Sequence, residues 1–160
     1  MCHRGAAREL SIGCLTERRN DSRPGPLPHA MTDVATEKTA LVVEDEMLFR
    51  LEICDLLEAE GYAVVEAGSA AQALERLDGS VSLMVTDIRM PGAMDGLALV
   101  REVVGRRPDV AVVVVSAQVT PKPGDLPDDV TFVGRPFLES RIRRAVRDAV
   151  VSRSDGPASN

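Results

Sequence analysis

Acidic and hydroxyl side chains stand at the ends of short apolar runs in this 160-residue chain. Glu44, Asp45 and Glu46 follow one run, Asp87 follows another, and Ser116 ends a third. If the runs are parallel strands, their carboxyl ends meet at one edge of a sheet and bring these side chains together. Carboxylates so close to one another cannot all stay ionised at neutral pH unless a cation lies among them. Because the group offers oxygen ligands and neither His nor Cys, the pattern predicts a Mg²⁺ site.

This set of side chains is suited to accept a phosphoryl group. Mg²⁺ and a cationic side chain neutralise the phosphoryl oxygens while a carboxylate attacks phosphorus in line. Asp87 is the expected nucleophile, Ser116 the expected hydrogen-bond donor to a phosphate oxygen, and Arg135 the expected cation. Met-Pro-Gly at 90–92 predicts a tight turn that holds the backbone near Arg89 against the metal. The sequence therefore favours an aspartate that is reversibly phosphorylated.

Each of these residues also has a simpler interpretation. Acids are favoured at the positive end of a helix dipole, so residues 44–46 could be a solvated helix start. Asp87 could form a turn before Met-Pro-Gly, and Ser116 could cap a backbone group at a strand end. Their coincidence in one chain favours the metal site.

The elements that position these residues follow from the hydrophobic pattern. From Thr39 onward, short apolar runs alternate with amphipathic stretches, which predicts an α/β fold with helices on both faces of a parallel sheet. The predicted strands are 41–43, 62–66, 81–86, 111–115 and 130–133. Three predicted helices begin near Met47, after the capping residue Ser69, and at Leu97. A fourth predicted helix, at the end of the chain, carries Ile142 on its apolar face. Gly61 is expected to end the first of these helices.

Residues 118–129 contain three prolines and a glycine, none of which suits a helix interior. We expect a loop there, so that a helix between the fourth and fifth strands is short or missing.

The chain divides into three parts by composition. Residues 1–38 are polar, Arg-rich and interrupted by prolines, and they are predicted to be a disordered N-terminal extension. Met31 precedes the first patterned segment, and translation could start there. Residues 39–151 are expected to form one domain, and 152–160 a flexible tail.

Charge and cysteine content limit the classes of partner. With 19 basic and 25 acidic residues the formal net charge is −6, which gives no electrostatic reason to bind nucleic acid or an anionic membrane. Proteins are the expected partners. The three cysteines, Cys2, Cys14 and Cys54, lack metal-site spacing and fit a reducing cytoplasm. The longest uncharged apolar run, 110–117, is far below the ~20 residues that span a bilayer.

Three motifs carry a resemblance to a known family. They are Leu-Val-Val-Glu-Asp-Glu at 41–46, Val-Thr-Asp-Ile-Arg-Met-Pro-Gly-Ala-Met-Asp-Gly at 85–96 and Val-Val-Val-Val-Ser-Ala at 112–117. In this order they resemble the receiver domains of response regulators in bacterial two-component systems, over residues 39 to about 151. The resemblance implies a flavodoxin-like fold with strand order 2-1-3-4-5.

The resemblance also implies roles for individual residues. Glu44, Asp45, Asp87 and the backbone carbonyl of Arg89 would hold Mg²⁺. Asp87 would accept the phosphoryl group of a histidine kinase or phosphotransfer protein. Ser116 takes the place of the family's switch Thr or Ser. Phe132 takes the place of its switch aromatic, although ordinary packing explains a Phe there equally well.

The chain departs from the family pattern at two places. Arg135 stands where the family has a lysine; arginine keeps the charge and can bind phosphate through two nitrogens, but it is bulkier. The proline-rich stretch 118–129 replaces the usual fourth helix, so the output surface is expected to differ.

The expected function is that of a single-domain receiver that signals through contact with a downstream protein, and not that of an enzyme. A phosphate sink or relay, or a receiver that only binds partners, are the alternatives. A Mg²⁺-dependent phosphohydrolase with an aspartyl-phosphate intermediate would need a second acid near the nucleophile, and the residue two positions after Asp87 is Arg89.

Overall fold

The computed structural model describes residues 38–134 and 138–154, which form a five-stranded parallel sheet with helices on both faces. The strands are β1 (Thr39–Val43), β2 (Ala63–Ala67), β3 (Val81–Thr86), β4 (Ala111–Ser116) and β5 (Thr131–Gly134). The helices are α1 (Met47–Ala59), α2 (Ala70–Arg76), α3 (Gly96–Arg106) and α4 (Glu139–Ser154). The strand order β2-β1-β3-β4-β5 confirms the predicted doubly wound, flavodoxin-like topology.

The core has two apolar layers, one on each face of the sheet, because successive side chains of a strand point in opposite directions. In β1, Ala40 and Val42 pack with residues of α1 and α4, whereas Leu41 and Val43 pack with residues of α2 and α3. All four side chains are fully buried. The sheet is thus a rigid base for the residues at its carboxyl edge.

The predicted ends of α1 and α2 are confirmed. Gly61 follows α1 in the left-handed region, with φ 88°, and Tyr62 N donates to Leu57 O at 3.1 Å across the end of the helix. Ser69 Oγ accepts a hydrogen bond from Gln72 N at 3.3 Å and caps α2.

Helix α3 begins one residue before the predicted Leu97. Asp95 is its N-cap, and Asp95 Oδ1 accepts a hydrogen bond from Ala98 N at 2.8 Å. Because Asp95 caps α3, the helix begins at Gly96, close to the carboxyl end of β3.

The connection between β4 and β5 contains no helix at any of residues 117–130, all of which the structure describes. Val119, Leu126 and Val130 pack against the apolar layer beneath α3. A turn forms where Asp125 N donates to Lys122 O at 3.0 Å and Lys122 N donates to Asp125 Oδ2 at 2.8 Å. The predicted loss of this helix is confirmed.

The last helix is longer than the sequence predicts. Residues 152–154, assigned above to a flexible tail, are helical. The hydroxyl groups of Ser152 and Ser154 donate to the carbonyls of Asp148 and Val150, one turn earlier, at 2.9 and 3.1 Å. The helix therefore continues three residues past the predicted domain boundary at residue 151, because these local hydrogen bonds and the Arg153 side chain hold the last turn.

The predictions about residues 1–37, Arg135 and residues 155–160 concern parts of the chain outside the described ranges. Within those ranges, none of the helices has the length and apolar character needed to cross a membrane.

Candidate phosphoryl-acceptor site

The acidic residues predicted to converge do so at the carboxyl edge of the sheet. Backbone hydrogen bonds extend the parallel ladder past the strand ends, since Glu44 N donates to Ala67 O and Asp87 N donates to Val43 O, each at 3.0 Å. Carboxylate oxygens of Glu44, Asp45 and Asp87 lie within 4.8 Å of one another. Three carboxylates at this separation can serve as ligands to one cation.

Glu44 shows the electrostatic cost of this grouping. Glu44 is only 9% exposed. The pKa of Glu44 is raised from 4.5 to about 7, chiefly by burial and also by the negative charges of Asp87 and Asp45. A hydrogen bond from Glu46 N to Glu44 Oε1 at 3.0 Å opposes the rise. The protein alone thus leaves the ionised form of Glu44 poorly stabilised, which is the condition that a bound divalent cation relieves.

The Asp87 carboxylate is oriented by its own backbone. Ile88 N donates to Asp87 Oδ1 at 2.7 Å, which restricts rotation of the carboxylate. Thr86 Oγ1 donates to the backbone carbonyl of Asp87 at 2.9 Å. One carboxylate oxygen is therefore fixed at the end of β3, and the other is free to take a different role.

Gly96 packs closely against Asp87, a contact that the sequence did not predict. A Cβ atom built on Gly96 would lie 1.9 Å from the carbonyl oxygen of Asp87, and 2.8 Å from Asp87 C and Ile88 Cα. Gly96 N also donates to Ile88 O at 2.8 Å. Only glycine lets the start of α3 approach the Asp87 segment this closely. The sequence does carry one sign of this contact. Gly96 directly follows the capping residue Asp95, at a helix position where alanine would be the better helix former.

Ser116 ends β4 with its side chain buried. The residue is 2% exposed, and its hydroxyl has no hydrogen-bond partner among the described residues. Buried hydroxyl groups usually have a hydrogen-bond partner, and a bound ligand could supply one for Ser116. Its neighbours Val115 and Ala117 line the cleft, whereas Ser116 does not contribute to the described lining.

The acids lie in a cleft of about 680 Å³. Its other walls include Phe49 of α1, Arg89 and Asp95 of the β3–α3 connection, and Gln118 of the β4–β5 loop. Arg89 Nη1 donates to Gln118 Oε1 at 3.1 Å and joins the last two of these walls. The cleft is large enough for a phosphoryl group and for a side chain that delivers it.

Phe132 is not among the described residues that line the cleft of the acids. It is partly buried against the apolar layer of α3 and, together with Pro121, Pro123 and Pro127, lines a separate shallow depression. Arg135 belongs to the residues outside the described ranges, so its predicted place beside Asp87 stays a prediction.

Comparison with known proteins agrees with this arrangement. A family model described as the response regulator receiver domain matches residues 40–124, which is more than half of the chain. The chain belongs to the response regulator receiver domain family.

Particular relatives extend the match over most of the chain. The sensor kinase CckA of Brucella abortus is 33% identical over 144 residues, covering 84% of this chain and 15% of the kinase. The transcriptional regulatory protein FixJ of Azorhizobium caulinodans is 36% identical over 118 residues, covering 66% of this chain and 52% of FixJ. The chain thus spans less than two thirds of either relative.

A solved structure shows the same fold at the level of a whole chain. The crystal structure of a response regulator receiver protein from Sinorhizobium medicae superposes with a TM-score of 0.69 at 25% identity. The match covers 73% of this chain and 97% of that one.

Proposed function

We propose that this protein is a receiver that accepts a phosphoryl group on Asp87 in a Mg²⁺-dependent reaction and signals by contact with another protein. The observation that carries the proposal is the convergence of Glu44, Asp45 and Asp87, whose carboxylate oxygens lie within 4.8 Å of one another. The donor is a histidine kinase or a phosphotransfer protein, the class of partner that receiver domains use.

The residues present fit a Mg²⁺ ion. The carboxylates of Glu44, Asp45 and Asp87, together with the backbone carbonyl of Arg89, would hold it, all through oxygen. The raised pKa of Glu44 supports this assignment because the acids lack sufficient positive charge of their own. When bound, the ion supplies charge that neutralises the phosphoryl oxygens and the clustered acids.

Asp87 performs the transfer step. Since Ile88 N occupies Oδ1, we assign the attack to Oδ2. A bond forms between this oxygen and phosphorus as the bond from phosphorus to the donor's imidazole nitrogen breaks. The electron pair of the broken bond stays on the imidazole nitrogen, which takes up a proton. Ser116 Oγ and the Arg135 guanidinium then donate hydrogen bonds to the phosphoryl oxygens.

Phosphorylation changes the charge at the edge of the sheet and thereby the balance between two arrangements of the protein. The β4–β5 loop begins directly after Ser116 and contacts the β3–α3 connection through the hydrogen bond between Gln118 and Arg89. We propose that this loop, in place of the missing helix, carries the change to the downstream protein.

The test is transfer from a small phosphodonor such as acetyl phosphate. We expect an acid-stable, base-labile phosphoryl label that requires Mg²⁺ and is absent from Asp87→Asn. Asp95→Asn is the matched control, because Asp95 lines the same cleft and Asn caps a helix as well as Asp does. Label in Asp87→Asn, or none in the unsubstituted protein, contradicts the proposal.

Arg135 has its own test. We expect Arg135→Lys to remain phosphorylated, because lysine retains the positive charge. Loss of transfer in Arg135→Lys, with transfer intact in the unsubstituted protein, would show that the site depends on the guanidinium itself.

A further inference from the structure

Arg50 extends from α1 to two other segments of the chain. Its Nη1 donates to the backbone carbonyl of Glu44 at 2.7 Å, and its Nε donates to Glu66 Oε2 in β2 at 2.9 Å. The Arg50 side chain is 19% exposed. Nη1 also lies 3.7 Å from the position that a Cβ on Gly68 would occupy, so the guanidinium lies against the loop after β2. The side chain thus connects the first metal-binding acid to the neighbouring strand.

Residues 44–46, the segment that Arg50 contacts, make few other side-chain hydrogen bonds within the described ranges. Glu46 is the N-cap of α1 and its side chain makes no capping hydrogen bond. Glu44 Oε1 accepts from Glu46 N, a contact within the same three residues. Within the part of the chain that the structure describes, the backbone hydrogen bond from Glu44 N to Ala67 O and the Arg50 bridge tie this segment to β2.

The two contacts of Arg50 suit a guanidinium better than an ammonium group. Two nitrogens of one planar group reach two acceptors on different segments, and this fixes the Glu44 carbonyl relative to β2. An ammonium group is a point charge and would satisfy the two acceptors less well. Because Asp45 follows Glu44 directly, displacement of the Glu44 carbonyl also moves the Asp45 side chain.

We infer that Arg50 is a positioning residue that holds Glu44 and Asp45 in place for the metal ion and so determines Mg²⁺ affinity. The inference rests on the proposed function in one respect, that Mg²⁺ binds to these acids. It assigns to Arg50 no contact with the metal or with the phosphoryl group.

The experiment is calorimetric titration with MgCl₂ in the absence of a phosphodonor, on the full chain, at a temperature where circular dichroism shows every variant folded. We expect Arg50→Met to weaken Mg²⁺ binding by about 10-fold. Substituting a residue that orients a metal ligand commonly lowers metal affinity by at least this much. Arg50→Lys and Glu66→Gln are expected to give smaller losses in the same direction. Both variants keep the test decisive if Arg50→Met does not fold.

Arg107 provides the matched control. It also links separate segments, through hydrogen bonds to Asp109, to the carbonyl of Asp78 and to the carbonyl of Val81, and its side chain is 23% exposed. It precedes β4 at the opposite edge of the sheet from the acids. We expect Arg107→Met to lower stability and to leave Mg²⁺ affinity unchanged.

The outcomes separate this inference from the proposed function. Unchanged affinity in Arg50→Lys and Glu66→Gln overturns the inference, as does an equal loss in Arg107→Met. If the unsubstituted protein binds no Mg²⁺, the proposed function fails as well. If it binds Mg²⁺ and Arg50 has no effect, only the inference about Arg50 fails.

Discussion

The position of Asp87 depends on the main chain around it. Its amide donates to Val43 O across the sheet, and its carboxylate accepts from the next amide. The start of α3 packs against its carbonyl so closely that no side chain fits at Gly96. A carboxylate held in this way keeps its geometry when the surrounding side chains change, because the sheet and α3 determine its position.

Gly96→Ala tests this packing. We expect the new methyl group to displace Asp87, to cost about 1–3 kcal/mol of stability and to reduce phosphorylation strongly. Urea unfolding and the phosphoryl label measure the two effects.

Gly105→Ala is the control for that substitution, because Gly105 lies in the same helix and a Cβ there meets nothing within 4 Å. Alanine is expected to stabilise the exposed helix position by up to about 1 kcal/mol and to leave labelling intact. Equal labelling of the two variants would contradict the role assigned to Gly96.

Glu44 predicts an unusual pH dependence of the metal-free protein. Its folded pKa of about 7 lies above its ordinary 4.5, so between these values the folded state binds a proton that the unfolded chain does not. The free energy of unfolding should therefore fall as pH rises through this window. Urea unfolding in EDTA at pH 5, 6, 7 and 8 measures the slope.

Glu44→Gln should remove this contribution to the slope, whereas Glu75→Gln, at an exposed position of α2, should not. An identical pH dependence in all three proteins would contradict the raised pKa. Saturating Mg²⁺ should also reduce the slope, because the ion favours the ionised acids.

Among the elements, the β4–β5 connection differs most from the family pattern. It is a loop whose apolar residues pack on the sheet and whose polar contacts reach α3 and α4. Arg101 Nη2 of α3 donates to the carbonyl of Asp125 at 3.0 Å, and Arg153 Nη2 of α4 lies 2.6 Å from Asp129 Oδ2. The loop is therefore attached to both helices by side-chain contacts.

Arg153 anchors the end of this arrangement. Its side chain is 15% exposed, and its Nη1 donates to Pro108 O at 2.5 Å in addition to the ion pair with Asp129. We expect Arg153→Ala to lower the free energy of unfolding by about 1–2 kcal/mol, because two charge-assisted contacts are lost. Urea unfolding measures the loss.

Arg144→Ala is the comparison for Arg153→Ala. Arg144 is 81% exposed, and its Nε lies 3.6 Å from Asp148 Oδ2. Removal of the Arg144 side chain should therefore change the free energy of unfolding by less than about 0.5 kcal/mol. Equal effects of the two substitutions would show that the Arg153 contacts do not stabilise the fold.

Sequence patterns predicted the elements better than the contacts between them. Apolar runs located all five strands of the described chain, and Gly61 and Ser69 marked helix boundaries correctly, because these signals are local. The roles of Gly96, Arg50 and Arg153 depend on segments brought together only by folding. No periodicity or spacing predicts that a Cβ at Gly96 would lie 1.9 Å from Asp87 O, or that one guanidinium bonds both Glu44 and Glu66.

For the molecule as a whole, the family relationship agrees with the fold and with the convergence of the acids. The sequence predicted both, because the motifs at 41–46 and 85–96 lie at strand ends that a parallel sheet brings together. The place of Arg135 beside Asp87 stays a prediction, and so does the surface that binds the downstream protein.

The predicted domain boundary is testable on the whole chain. The sequence predicts a disordered N-terminal extension, and within the described ranges both apolar layers are built from residues 40–150, so we expect a chain that starts at Met31 to unfold at the same urea concentration as the full chain. It should also take up the same amount of phosphoryl label. A lower midpoint in the shorter chain would show that residues 1–30 contribute to the folded domain.

The most direct test of the central claim is to locate the modified residue chemically. Borohydride reduces an aspartyl phosphate to homoserine, and peptide mass spectrometry then identifies the position. After incubation with Mg²⁺ and acetyl phosphate, we predict homoserine at position 87 and none in EDTA. Homoserine at another acidic residue, or at none, would contradict the assignment of Asp87 as the phosphoacceptor.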